Sequence, residues 1–280
     1  MKKKVVLITG CGSGIGKALA EGFSNCGCSV IVTDKNGSEL ELLAAVGMTC
    51  MPLDVSDSSN IQKVIDEALK IEGRIDVLVN NAGFGLMGPM LDIAKEDIVQ
   101  QFRTNVFAPL ELMQAVAPVM RRNGSGLIIN IGSISGIVPT PFAGAYCASK
   151  AALHAISDAA RMELEPFGIR VLTVQPGAIR SDFGANAVRR VMNIVRENSW
   201  YFPLKDAVIG RANVSQEDAT PAEELAERLV AIAFRDRPPA IVRIGKKSTI
   251  LPLLKLLLPV KTLDKVLKKM FSLSSFRPSP

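Results

Sequence analysis

The chain has 280 residues, 48% of them apolar and 21% charged, enough to bury a large core in a single α/β domain. Its net charge of +6 is carried by residues 241–280, where nine Lys/Arg stand against Asp264 alone, and the slightly acidic remainder excludes nucleic-acid binding by charge. Five cysteines without a CxxC pair, a single histidine, and Met1-Lys2-Lys3-Lys4 running directly into Val5–Ile8 argue against a disulfide framework, a zinc site or other metal centre, and a secretory leader. Reduced thiols in a cytoplasmic compartment are expected.

Taken in order, 5–8 reads as a buried strand, followed by Thr9-Gly10-Cys11-Gly12-Ser13-Gly14-Ile15-Gly16 and a helix from Lys17. A glycine-rich turn between a strand and a helix N-terminus is an anion cradle, because free amides and the helix dipole face the same point. The common G-x-G-x-x-G spacing is absent; the glycines fall at 10, 14 and 16 after a threonine. A second strand, 29–33, ends in Asp34, which suits hydrogen bonding to an adenosine ribose and repulsion of a 2′-phosphate. That favours NAD, while the adjacent Lys35 keeps NADP open.

A third strand over 48–53 leads to Asp54-Val55, and Asp57 or Ser56 caps an amphipathic helix with Ile61, Val64, Ile65, Ala68 and Leu69 on its apolar face. A strand over 75–79 runs into Asn80-Asn81-Ala82-Gly83. A long helix over 97–120 carries Asn105 in its interior, a position where an amide competes for backbone hydrogen bonds. Strands over 127–131, 169–174 and 240–244 complete the set, with a helix starting at Pro221.

The chemistry is concentrated between residues 133 and 150. Ser133 lies just past a strand end, and Tyr146 and Lys150 fall one helical turn apart on one face. A phenol ionises near pH ~10 and is a poor base at neutral pH unless a cation stabilises the phenolate. Lys150 is suited to do that, Ser133 to hold a substrate oxygen, and Tyr146 to move the proton. A bare tyrosine–lysine pair at this spacing also fits an ordinary surface helix; the serine twelve residues earlier and the scarcity of tyrosine, two in the chain, favour chemistry.

The spacing Ser133, Tyr146, Lys150 resembles the catalytic signature of the short-chain dehydrogenase/reductase family, and the glycine turn and the Asn-Asn-Ala-Gly segment resemble that family's cofactor side. The resemblance implies a Rossmann-type doubly wound α/β fold: a seven-stranded parallel sheet flanked by helices over residues 1–245, with 182–219 as a substrate lid and 246–280 as a C-terminal apolar and basic helical extension. It implies Asp54 and Val55 along the adenine, Asn81, Ala82 and Gly83 behind the nicotinamide ribose, and Asn105 holding a water that relays protons from Lys150. Tyr146 and Lys150 would also hold the ribose, and Pro176, Gly177 and Ile179 would wall the nicotinamide. Ser181 stands where the family has a threonine, keeping the hydroxyl. His154, one turn past Lys150, reads as a structural helix residue.

The implied activity is hydride transfer between NAD or NADP and an alcohol or ketone. The aromatic and aliphatic content of 182–219, with Phe142 and Phe183 as candidate substrate contacts, points to a lipophilic substrate such as a steroid, retinoid or lipid. A catalytically silent cofactor-binding regulator or a membrane-associated scaffold is the alternative, and a homodimer or homotetramer is implied by family habit. In the tail, Leu263, Val266, Leu267, Met270 and Phe271 face away from Lys261, Lys265, Lys268 and Lys269, so residues 250–276 suit peripheral membrane contact or docking on a subunit.

Overall fold

The apolar runs become seven parallel strands with helices between them. In order they are β1 (Val5–Thr9), α1 (Gly14–Asn25), β2 (Ser29–Asp34), α2 (Glu41–Ala45), β3 (Thr49–Pro52), α3 (Ser58–Glu72), β4 (Val77–Asn80), α4 (Lys95–Phe102), α5 (Ala108–Arg122), β5 (Gly126–Ile131), α6 (Gly144–Leu164), β6 (Ile169–Pro176), α7 (Phe183–Ile194), α8 (Lys205–Asn213), α9 (Ala222–Ala233), β7 (Ile241–Ile244), α10 (Ile250–Leu257) and α11 (Val260–Met270). This is a computed structural model that describes residues 3–277; Met1, Lys2 and the last three residues of the basic extension lie outside the described residues. The sheet order is β3-β2-β1-β4-β5-β6-β7, so the chain reverses direction between β1 and β4. In open sheets of this kind, ligands bind where the order reverses, beyond the carboxyl ends of the strands.

Strand side chains alternate between two cores. Val6 and Ile8 face the layer that holds Leu19, Phe23, Leu225 and Leu229 of α1 and α9. Val5 and Leu7 face the opposite layer, with Ile61 and Ile65 of α3 and Leu112 and Val116 of α5. Both faces being covered explains why the strands read as unbroken apolar runs. Asp57 caps α3, accepting hydrogen bonds from the Ser59 and Asn60 amides at 2.8 and 3.3 Å, and Gly73 closes it in the left-handed conformation.

Two expectations need correction, and an open one is decided. The helix read over 97–120 is not uniform: a π-helical turn at Arg103–Phe107 separates α4 from α5 and carries Asn105. Such a turn adds a residue to the helical circuit, and here it directs the Asn105 amide to Phe84 and Ser149. The lid, irregular by sequence, is mostly helical (α7 and α8), because its apolar residues gain partners only after the chain folds. Of the two readings of the α11 stripe the structure shows docking: Leu263, Leu267 and Phe271 are buried with Leu204, Val208 and Ala212 in a third core, while Met270 stays exposed. The exposed apolar face of the extension belongs to α10 and the start of α11, where Leu253, Leu256, Leu257 and Val260 reach solvent. No helix of the described residues is long and apolar enough to cross a membrane.

Candidate active site

At the end of β1 the chain turns through Gly10, with φ of 72°, and Gly14, with φ of 54°, into α1. A Cβ on Gly16 would overlap the Gly10 carbonyl, so the turn packs this tightly only with glycine there. Thr9 does not face the groove. Its buried hydroxyl accepts the Asn81 and Ala82 amides, each at 3.1 Å, while the Asn81 side chain donates to the Thr9 and Gly10 carbonyls, both at 2.9 Å. Thr9 and Asn81 therefore brace the groove on either side of the point where the sheet reverses.

Ser13 makes no side-chain cap, which leaves the amides of the first α1 turn, at Gly14, Ile15 and Gly16, directed at the groove. Asp34 accepts the Gly12 amide at 2.9 Å and the Asn36 amide at 3.2 Å. Glu39, which carries no mark in its local sequence, brings a second carboxylate to the same place: a Cβ on Gly12 would collide with it and come within 3.1 Å of Asp34 Oδ2. Lys35 turns away from Asp34 and pairs with Asp54 at 2.7 Å. Burial pushes the Asp54 carboxyl up, but hydrogen bonds from Lys35 and Ser56 outweigh it and hold it down at about 2. Buried Val55 adjoins this pair. Uncapped amides in a glycine cradle, with two carboxylates at the next strand end, fit a dinucleotide whose diphosphate meets the helix and whose ribose meets the acids.

Across the reversal, β5 ends at Ile131 and the chain passes Ser133 into the loop before α6. The Ser133 oxygen accepts the Ser135 amide at 3.1 Å, and its own amide points to His154 Nε2 at 3.4 Å. Gly132 and Gly136 both lie against the His154 ring, so His154 is the packing support of this loop. Burial, reinforced by the charge of Lys150, lowers its imidazole to about 4. Phe142 in the same loop takes φ of 61°, an unusual conformation for a bulky residue, and packs edge-on against Tyr201.

Tyr146 and Lys150 are both buried on α6. Phe183 of α7 lies over the Tyr146 ring with centroids 5.4 Å apart. Lys150 Nζ donates to the Ile131 carbonyl at 2.8 Å, and burial brings its ammonium down to about 8. Burial pushes the Tyr146 phenol up to about 12; the neighbouring Ser133 hydroxyl and the Arg211 charge oppose the rise. Lys150 is held on the Ile131 carbonyl, and Arg211 of α8 is a second cation whose charge reaches the phenol. Burial thus favours the protonated form of the phenol.

Asn105 is buried beside α6. Both atoms of its amide are engaged, Oδ1 accepting the Phe84 amide at 3.1 Å and Nδ2 donating to the Phe84 carbonyl and Ser149 hydroxyl at 3.0 and 3.1 Å. On the far wall, Pro176 closes β6, and the Gly177 and Ala178 amides bond to the Ile244 and Lys246 carbonyls. Ile179 is buried against Gly245, and Ser181 meets Gly14 across the groove. Gln216 fastens this wall, accepting the Ser181 amide at 2.9 Å and donating to the Ile179 carbonyl at 3.2 Å.

Residues 4–191 match the family model described as short chain dehydrogenase. The chain belongs to the short-chain dehydrogenase family. Among curated members, 3-ketodihydrosphingosine reductase of Bacteroides thetaiotaomicron is 32% identical over 245 residues, covering 88% of this chain and 89% of that protein. NADPH-dependent 1-acyldihydroxyacetone phosphate reductase of Schizosaccharomyces pombe is 32% identical over 228 residues, 80% and 76% of the two chains. A solved short-chain dehydrogenase from Streptomyces avermitilis superposes with a TM-score of 0.81 at 28% identity, covering 98% of each chain. As a short-chain dehydrogenase the protein is an oxidoreductase on a Rossmann-like nucleotide-binding fold, and its Ser133, Tyr146 and Lys150 stand where the groove meets the lid.

Proposed function

We propose that the protein moves a hydride between a nicotinamide dinucleotide and a lipophilic ketone or secondary alcohol, with Tyr146 as the proton donor and acceptor. The observation that carries this is the burial of Tyr146 beside the Ser133 hydroxyl, under Phe183, on the same helix face as buried Lys150. The dinucleotide supplies the hydride chemistry when bound. The chain supplies position and protons: the α1 amides take the diphosphate, Asp34 and Glu39 the adenosine ribose, and Lys150 the nicotinamide ribose. Ser133 donates to the substrate oxygen while the phenol of Tyr146 delivers its proton there, or withdraws it in the oxidative direction. Two carboxylates at the ribose favour NAD over NADP, since a 2′-phosphate would meet like charge; to welcome the phosphate, Lys35 would have to leave Asp54.

The lipophilic substrate class is supported by the apolar third core under the lid and by the names of the two curated relatives, both reductases of lipid-type ketones. Pairing with a second copy through α4, α5 and α6 is supported by exposed Val99, Phe107, Met162 and Phe167 on and next to those helices. Peripheral contact with an anionic lipid surface through α10 is supported by its exposed leucines beside the basic extension.

The test is Tyr146→Phe, assayed by nicotinamide absorbance against a panel of lipophilic ketones with NADH and NADPH. Turnover should fall by about 10²–10⁴ while dinucleotide binding stays within a few-fold, and NADH should be the better donor in the parent protein. Full activity of Tyr146→Phe would overturn the assignment.

A further inference from the structure

Helix α8 contains a buried cation to which the chemistry above assigns no ligand. Arg211 lies in α8 and is only 6% exposed. Its Nε donates to the Thr140 hydroxyl at 2.8 Å, and its guanidinium stands 5.6 Å from the centre of the Phe271 ring. Among the described residues no aspartate or glutamate pairs with it, and its other four N–H groups have no partner. The ionisable groups within reach of its charge are Tyr146 and Cys147, and burial raises both, keeping them neutral. The terminal nitrogens are not among the fully enclosed unpartnered atoms, so the free N–H groups open onto accessible space where an anion can meet a cation that is otherwise largely buried. A tie between α8 and Thr140 needs one donor, which a glutamine would provide without the charge.

We propose that Arg211 is the anion-binding residue of the substrate pocket, pairing with a carboxylate or phosphate carried by the lipophilic molecule on which Tyr146 acts. The inference rests on the functional reading above and narrows it to amphiphiles with an anionic head. The planar guanidinium binds carboxylate and phosphate through paired N–H groups, and the apolar surroundings strengthen that pairing. Tyr146 packs in one buried cluster with Val208 and Ala212, which flank Arg211 on α8, and with Phe271, over whose ring the guanidinium stands, so one extended substrate can meet both groups.

The experiment is calorimetric titration of the full chain, loaded with dinucleotide, with dodecyl phosphate, dodecanoate and dodecanol. At least one anion should bind roughly tenfold or more tightly than the alcohol, with the preference lost in Arg211→Met and partly restored in Arg211→Lys. Phosphate ahead of carboxylate identifies a phosphate ester, and the reverse a carboxylic acid. Equal binding of all three by the parent protein would sink the proposal, as would a uniform loss in Arg211→Met. Should Arg211→Met not fold, the parent comparison decides by itself. Because binding is read without turnover, an active Tyr146→Phe would remove the catalytic reading and leave this result standing.

Discussion

Tyr146 and His154 are both shifted by burial, in directions that keep them neutral. The phenol moves up and the imidazole down, because a desolvated site penalises whichever form is charged. For His154 the consequence for stability has a definite sign. The unfolded imidazole takes up its proton near pH ~6.5 and the folded one only near about 4, so stability is complete above the first value and drains away as pH falls towards the second. Allowing for partial contact with solvent, the loss should be about 2 kcal/mol. Urea midpoints at pH 7 and 4.5 check this: His154→Gln, which keeps an acceptor for the Ser133 amide, should lose much less than the parent. An equal loss would mean the imidazole is not the group that titrates.

At the level of elements, α6 and β5 hold the site through a buried polar chain. Asn80 Nδ2 donates to Asn130 Oδ1 at 2.8 Å, Asn130 Nδ2 donates to Ser157 Oγ at 2.8 Å, and Ser157 bonds back to the Leu153 carbonyl at 2.6 Å. These residues fix the spacing between the end of β4, β5 and the helix that carries Tyr146 and Lys150. Asn130→Ala would strand the Asn80 amide and remove the donor to Ser157, a loss of about 1–3 kcal/mol. Thermal unfolding should register it as a Tm lower by several degrees, and an unchanged Tm would show that the network carries no stability. The π turn acts at the same scale: by turning Asn105 onto Phe84 and Ser149 it locks the loop after β4 to α6.

For the whole molecule, the C-terminal extension packs against α8. Leu263 and Leu267 of α11 and Phe271 just past it belong to the third core, and Arg211 lies between Phe271 and Thr140. The outer face of α10 is left with Leu253, Leu256, Leu257 and Val260 exposed beside lysines. Changing those four residues to serine should abolish sedimentation with vesicles containing phosphatidylserine and leave dinucleotide affinity intact. Raising salt from 0.1 M to about 1 M should weaken binding of the parent protein by screening its lysines. If the parent protein ignores such vesicles but loses its dimer on substitution, the face joins two copies instead.

The sequence by itself determined the strands, the glycine cradle, Asp34, and the trio of Ser133, Tyr146 and Lys150. Each of these is written in local spacing: a period of two buried on both faces, glycines before a helix, a turn of α-helix between two side chains. Tertiary structure alone decided the rest. Glu39 reaches Gly12 only because the chain folds back after β2, Asn105 turns inward only through a π turn, and α11 buries the stripe that sequence left free to meet a membrane. Arg211 carries no local mark at all; that it is buried with no aspartate or glutamate of the described residues paired to it is a property of the packed chain that no run of neighbouring residues contains.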